Sequence, residues 1–272
     1  MDGAMAVDVV DAKAAQAKRD RRAKLLYGRG ARWTIRLAVA VAIFGFWQLD
    51  AEHLSTAVAA TPIEIAKAVY RQFISQHSIY GALASSLEAL IIGYAISVVA
   101  GLCVGIAMGR SRILERILDP YVSFLYGLPH VAFVPLMVIW FGFGLKLRLG
   151  YIILSAIFPM IVNTMVGAKN VDEALLDVGR SVCANRRQVL RTIVLPGAMP
   201  YILLGARQAF FLAWVGVVVA EVLTTQTGLG GLLTHYSNYY RTADMFVPIL
   251  VIMAIGVVIQ VVTDRAKRRI AP

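Results

Sequence analysis

Residues 83–108 read LASSLEALIIGYAISVVAGLCVGIAM, a run in which Glu88 is the only charged side chain. A bilayer core about 30 Å thick requires roughly 20 consecutive apolar residues per helix, so this run predicts a membrane-spanning helix. Its glycines Gly93, Gly101 and Gly105 recur at multiples of four residues, which lets a neighbouring helix approach closely in lipid. The stretch therefore indicates an all-α membrane protein.

Similar apolar runs along the rest of the chain predict about six transmembrane helices in total. The other five cover approximately residues 33–49, 120–141, 151–168, 201–223 and 245–262. The third span contains Pro129 and Pro135, and such breaks persist in a membrane only where protein or a water-filled cavity covers the freed backbone groups. Between the first two spans, the segment TPIEIAKAVYRQF (61–73) has Thr, Pro and Glu at capping-box positions, which predicts a short amphipathic helix at the outer interface.

The composition agrees with a membrane protein and argues against several other classes. The chain is 59% hydrophobic and 16% charged, whereas soluble domains carry about 25% charged residues. Neither Cys103 nor Cys183 belongs to a disulfide framework or a metal-ligand spacing. The phosphate-binding pattern GxxxxGK[ST] and the hydrolase patterns HExxH and GxSxG do not occur. We therefore expect no catalytic activity and no metal or cofactor bound by this chain.

The basic residues give the orientation. The net charge is +11, and 21 of the 27 Lys and Arg residues lie in four segments, namely 1–36, 110–116, 169–191 and 265–269. In a soluble protein this charge would suggest nucleic acid, but its alternation between loops is the positive-inside pattern, so we expect a lipid bilayer and no nucleic acid. Both termini are predicted to be cytoplasmic, as an even number of spans also requires. The expected organisation is a basic arm (1–32), a transmembrane domain (33–264) and a basic tail (265–272).

The longest polar segment between spans, residues 169–199, contains VDEALLDVGRSVCANRRQVLRTIVLP (171–196). Its length allows a helix, a turn and a second short helix that stops at Leu195-Pro196. Eight aliphatic residues recur in it at helical spacing, which a free loop does not need, so we expect a partner surface. The alternative is a solvated basic connector between two spans.

This segment resembles the coupling loop of bacterial ABC-importer permeases, whose pattern is EAA-x3-G-x9-I-x-LP. Aligning on the final Leu-Pro puts the triplet on 177–179, with Asp for Glu and Val and Gly for the two Ala, and puts the Gly position on Cys183. A register that starts at Glu173 is rejected, because it misses the Leu-Pro. The resemblance makes the following residues candidates for coupling to an ATPase: Asp177, Val178, Gly179, Val182, Cys183, Ile193, Leu195 and Pro196.

The resemblance extends over roughly residues 60–262 and is closest to permeases for sulfonates, taurine and nitrate. The segment PHVAFVPLMVIWFG (129–142) is similar to that subgroup, as are Ala220-Glu221 and Gly228-Leu229-Gly230. The resemblance implies a type I ABC-importer permease in a bacterial inner membrane that carries a small organic or inorganic anion. It also implies three partners: a second copy of this chain, two cytoplasmic ATPase subunits that use ATP, and an extracytoplasmic solute-binding protein.

Candidates for the translocation pathway or its gating are Pro129, Pro135, Asn163, Trp214 and Glu221. Each has a structural alternative, because intramembrane amides often join helices, aromatic residues near span ends often pack or anchor, and Glu221 could bind a backbone amide or a nearby Arg. Two other function classes stay open at this point. An ion-driven secondary transporter would show internal repeats and mid-membrane charges, which we do not find. A membrane scaffold would need neither a proline-broken span nor an apolar cytoplasmic loop.

Overall fold

The computed structural model describes residues 29–53, 59–224 and 227–270. Within these ranges every regular element is helical, which confirms the all-α class. The chain divides into two compact units, residues 1–64 and 65–272. Most of the arm predicted over residues 1–32 lies outside the described residues.

The first unit contains α1 (Arg29–Glu52), which includes the first predicted span. It also contains the start of α2 (Pro62–Tyr70). The Thr61 N–H donates to Glu64 Oε2 at 3.0 Å, and the Glu64 N–H donates to Thr61 Oγ1 at 3.3 Å. The capping box predicted from the sequence is therefore confirmed.

The second unit is built around three long helices, of which α6 packs against both α3 and α9. After α2 and a π-helical turn at Arg71–Ser75, its helices are α3 (Ser78–Arg110), α4 (Arg112–Gly127), α5 (Val134–Phe141), α6 (Leu145–Lys169), α7 (Glu173–Ser181), α8 (Arg186–Val189), α9 (Leu195–Thr224), α10 (Gly228–Asn238) and α11 (Thr242–Ile270). A Cβ atom added at Gly93 would lie 2.6 Å from Ile152 Cγ2 of α6, and one at Gly105 would lie 2.6 Å from Thr164 Cβ. The α3 glycines therefore permit the close α3–α6 packing that their spacing predicts.

The number of spans agrees with the prediction of about six. Among the described residues, five helices are long and apolar enough to cross a membrane, and α4 with the segment His130–Phe141 makes a sixth if this pair, bent by 93°, is one span. The bend falls at Leu128-Pro129. Pro135 lies in the first turn of α5, where a helix tolerates proline because no backbone N–H is needed there. The prediction that Pro135 breaks the span is therefore wrong, and the break belongs to Pro129.

Three predicted loops are more helical than the sequence indicated. Between the predicted spans 120–141 and 151–168, only residues 142–144 form a turn, where Gly142 (φ +66°) and Gly144 (φ +124°) adopt conformations that favour glycine. Between the predicted spans 201–223 and 245–262, the connecting segment contains α10. The last helix, α11, continues through residues 265–270 of the predicted tail.

The coupling segment does not stop at Leu195-Pro196 as predicted. A π-helical turn at Leu190–Val194 joins α8 to α9, and the Leu195 N–H donates to the Leu190 carbonyl. Pro196 has no N–H to offer to an α-helical bond, and it follows directly on this wider turn. The second short helix therefore runs into a spanning helix without a break.

Candidate functional sites

The segment between α6 and α9 forms a small folded element with its own apolar core. Asp172 caps α7 by accepting a hydrogen bond from the Ala174 N–H at 2.9 Å. Its buried side chains come from the end of α6, from α7 and from the π-helical turn, and they are Ala168, Val171, Leu176 and Val194, with Val189, Leu190 and Ile193 packed against them. Much of the apolar pattern seen in the sequence is therefore used inside the element.

Three aliphatic side chains of this segment point away from that core. Leu175, Val178 and Val182 are 50%, 59% and 70% exposed. Their spacing of three and four residues places them on one side of α7 and its C-terminal turn. We call Leu175, Val178 and Val182 the outer face of α7.

The backbone agrees with the register that begins at Asp177. Cys183, at the glycine position of the family pattern, has φ +54°, a conformation that glycine adopts most readily. Gly179, at the last position of the triplet, is buried, and a Cβ atom there would lie 3.0 Å from Ile193 Cδ1. A small residue is therefore required at position 179, the last of the triplet. Residue 183 adopts a left-handed backbone conformation, which favours glycine.

The sequence-predicted coupling residues do not share one surface. Asp177 is exposed and pairs with Arg180 at 2.7 Å, and Val178 and Val182 belong to the outer face. Gly179 is buried and faces inward against Ile193, and it does not belong to the outer face.

A buried polar network joins α3, α6, α9 and α10 around Glu221, which is fully buried. The Ser86 hydroxyl lies 2.9 Å and 2.8 Å from the two carboxylate oxygens, and Arg148 Nη1 lies 3.2 Å from Oε1. The Gly230 N–H donates to Oε2 at 3.0 Å, and the Leu229 N–H donates to Ser86 Oγ at 2.9 Å. Glu221 therefore binds both a backbone amide and an arginine, which is the structural role given above as the alternative to a pathway role.

The Gly228-Leu229-Gly230 segment wraps the carboxylate. Gly228 has φ +81°, and a Cβ atom there would lie 2.0 Å from Glu221 Oε1. At Gly230 it would lie 2.7 Å from Glu221 Cβ. The Ala-Glu and Gly-Leu-Gly motifs, noticed separately in the sequence, are thus two halves of one structure.

Sequence reasoning missed the other two members of this network. Arg148 falls between the predicted spans 120–141 and 151–168, but it lies in the first turns of α6 and is 6% exposed. Arg148 lies just before the predicted span 151–168, and the oppositely charged Glu221 lies near the end of the predicted span 201–223. These opposite charges were the only signal in the sequence for their pairing. Ser86 gave no signal, because serine is common in membrane helices as a link between helices.

The remaining pathway candidates lie in different surroundings. Trp214 is 4% exposed and packs in the main core, so it does not face an open path in this subunit. Asn163 is half-buried, and its Nδ2 donates to the Pro159 carbonyl at 2.7 Å and to Gln208 Oε1 of α9 at 2.9 Å. Asn163 therefore joins two helices, at a place where the Gln208 side chain is exposed.

The sequence of this chain is similar to those of known membrane transport proteins. The sequence profile of the inner-membrane component of binding-protein-dependent transport systems matches residues 97–272. This chain belongs to that family. A putative aliphatic sulfonates transport permease of Bacillus subtilis is 31% identical to the permease, over 89% of this chain and 87% of the relative.

Two further relatives and a solved structure agree. The taurine transport system permease protein of Escherichia coli is 34% identical over 70% of this chain and 69% of its own. The nitrate import permease of Leptolyngbya laminosa is 27% identical over 91% of each chain. The inward-facing MetNI methionine ABC transporter matches the fold with a TM-score of 0.62 at 19% identity, over 71% of this chain and 96% of its own. The resemblance to ABC-importer permeases is confirmed, and neither the secondary transporter nor the scaffold is supported.

Proposed function

We propose that this permease imports a small oxyanion of the sulfonate, taurine or nitrate kind. It acts as a homodimer that receives its substrate from an extracytoplasmic binding protein. ATP is bound and hydrolysed only by two separate ATPase subunits, because the chain contains no phosphate-binding pattern. The substrate class rests on the relatives, whose names specify aliphatic sulfonates, taurine and nitrate.

The outer face of α7 is the proposed docking site for the ATPase. The proposal rests on the exposure of its three aliphatic side chains. A side chain such as Val182, 70% exposed, loses apolar contact with water only if another surface covers it. The buried side chains of the same element fix α7 against the end of α6 and the π-helical turn that precedes α9. A partner that binds the outer face therefore holds a rigid part of the permease.

The connection from α7 to the membrane gives the docking site a route for transmitting movement. The helix that starts at Arg186 continues through the π-helical turn into α9, with no loop between them. Ile193 of that turn packs beside Gly179 of α7, and Val194 is buried in the same small core. A displacement of α7 is therefore passed directly to the base of α9, as in other rigid-element transitions.

The exposed amide of Gln208 supports a pathway beside α9. Gln208 lies near the middle of the helix Leu195–Thr224 and is held by Asn163 Nδ2. An exposed polar side chain at mid-membrane is unfavourable against lipid, so such residues face a protein interface or a water-filled path. We place Asn163 and Gln208 on the proposed path, and Trp214 and Glu221 behind it as structural residues.

The docking site is tested by charge substitutions on the outer face. In Val178→Asp and Val182→Asp a carboxylate must be desolvated at the interface, which typically costs a few kcal/mol and weakens a docked pair by about tenfold or more. The matched controls Val178→Leu and Val182→Leu keep the face apolar. Insertion into the membrane should be unchanged in all four variants, while ATPase co-purification and transport fall together in the Asp variants. Full ATPase association by both Asp variants would show that α7 is only a connector.

The substrate class is tested separately with the complete transporter in vesicles. Uptake of a radiolabelled alkanesulfonate, taurine or nitrate should be competed by the preferred anion and should require the binding protein. Uptake of none of the three would refute the substrate proposal while leaving the docking proposal intact.

A further inference from the structure

A cleft of about 700 Å³ lies between the end of α3, one side of α4 and α7, apart from the features described above. Five basic and three acidic side chains line it. Lys169 is paired with Glu115 at 2.6 Å, and Arg180 is paired with Asp177 at 2.7 Å. Among the described residues, none forms an ion pair with the three remaining basic side chains, which are Arg110, Arg112 and Arg116. The five basic and three acidic side chains give the cleft a net charge of +2, and three of its guanidinium groups have no ion-pair partner among the described residues.

The helix α4 places these cations next to an apolar surface. Arg112 and Arg116 are four residues apart and belong to one side of the helix. A second stripe of the same helix consists of exposed apolar side chains, which are Ile113, Ile117, Tyr121 and Phe124. With 3.6 residues per turn, the two stripes lie about a third of a turn apart. A helix with a cationic stripe beside an aromatic and aliphatic stripe is typical of a membrane interface.

The cleft stays open when the proposed docking site is occupied. Its lining on α7 comes from Glu173, Leu176 and Arg180, whereas the outer face consists of Leu175, Val178 and Val182. At about 100° per residue these two sets lie on roughly opposite sides of the helix. The chain's own ends are poor occupants, because residues 13–24 contain six Lys and Arg and residues 265–269 contain four.

We propose that this cleft binds the phosphate group of an anionic phospholipid, with Arg110, Arg112 and Arg116 as its ligands. Guanidinium groups match phosphate oxygens in bidentate geometry, and basic pockets at the ends of membrane helices attract anionic headgroups. The apolar stripe of α4 accommodates the acyl chains beside the headgroup. A bound lipid would connect α4 to α7 on the side away from the ATPase.

The test uses the full-length permease in nanodiscs of phosphatidylcholine with a minor fraction of phosphatidylglycerol. Native mass spectrometry after transfer to detergent counts the phosphatidylglycerol retained per permease. The variant Arg112→Gln/Arg116→Gln should retain about 25-fold less than the wild type, because each of the two basic residues near a membrane surface contributes roughly a factor of five. The control Arg186→Gln/Arg187→Gln removes the same charge from exposed residues outside the cleft and should retain the wild-type amount.

Four outcomes overturn the proposal. Equal retention by the cleft variant and the wild type shows that the arginines do not bind lipid, and equal loss in both variants shows a general charge effect. Displacement by inorganic phosphate as effective as that by a short-chain phosphatidylglycerol assigns the cleft to a soluble anion. Release of the lipid when the ATPase subunit is added assigns the cleft to the ATPase interface. The lipid site is supported if only the cleft variant loses phosphatidylglycerol, and if neither inorganic phosphate nor the ATPase subunit displaces the lipid from the wild type.

Discussion

Replacing Glu221 by Leu should destabilise the permease more than any conservative change of an exposed charge. The substitution removes the carboxylate and leaves the Arg148 guanidinium buried at 6% exposure. Arg148 Nε already lacks a hydrogen-bond partner, while Nη1 keeps Ser85 Oγ at 2.9 Å. The Gly230 N–H loses its acceptor as well.

The expected cost follows from these groups. Removing one partner of a buried ion pair costs about 3–5 kcal/mol, and an orphaned buried N–H contributes about 1–3 kcal/mol when nothing replaces its partner. The two contributions sum to about 4–8 kcal/mol, and because Ser85 still binds Arg148 we expect a total near the lower end, about 4–5 kcal/mol. In the double variant Arg148→Met/Glu221→Leu no charge is left buried, and the expected loss falls to about 1–2 kcal/mol.

Unfolding of the purified permease by SDS, followed by intrinsic fluorescence, measures these free energies. The control is Glu88→Leu, which removes an exposed carboxylate of α3 and should change stability by about 0.5 kcal/mol or less. The double-mutant cycle should give a coupling energy of at least about 2 kcal/mol between Arg148 and Glu221. Additive effects, or a Glu221→Leu variant as stable as the control, would refute the assignment of this pair as a structural link.

Three further predictions concern topology, packing and nucleotide binding. In a Cys103→Ala background, a membrane-impermeant maleimide should label native Cys183 only after the membrane is permeabilised. The same reagent should label Gln76→Cys from outside without permeabilisation. Labelling of both cysteines from one side would contradict the predicted orientation. Gly228→Ala should sharply reduce folded yield in size-exclusion chromatography, because a Cβ atom there meets the buried carboxylate at φ +81°, whereas Gly127→Ala, with nothing within 4 Å, should leave it unchanged. The purified chain without partners should neither bind nor hydrolyse ATP in equilibrium dialysis and phosphate-release assays.

The spanning helices were predictable because hydropathy and length act locally. The run at 83–108 identifies α3, and the capping box at Thr61 and Glu64 identifies the start of α2 without tertiary information. Boundaries were less accurate where polar residues are buried by long-range partners. Leu145–Gly150 reads as a loop because it contains Lys146 and Arg148, yet it is helical, and Arg148 contacts residues of α3 and α9.

The location of the candidate docking site was predictable from the sequence. Which of its side chains are buried and which are exposed was not. The Leu-Pro end of the family pattern identified the segment that contains α7, and an aliphatic rhythm at helical spacing indicated burial. Periodicity alone cannot distinguish side chains buried within the element, such as Leu176, from side chains exposed on its outer face, such as Val178. The inward position of Gly179 depends on Ile193, fourteen residues later, and on a π-helical turn that no local pattern indicates.

The glycines of α3 limit how the permease can change shape. Ile152, Met160 and Thr164 of α6 fill the space opposite Gly93, Gly101 and Gly105, and α9 meets α6 in the same way where Gly205 lies against Asn163. Sliding any of these helices by one residue would press a side chain against backbone at several levels at once. The α3–α6–α9 group is therefore expected to move as a single body, so that in the proposed homodimer access would alternate by rotation of this group and not by sliding within it.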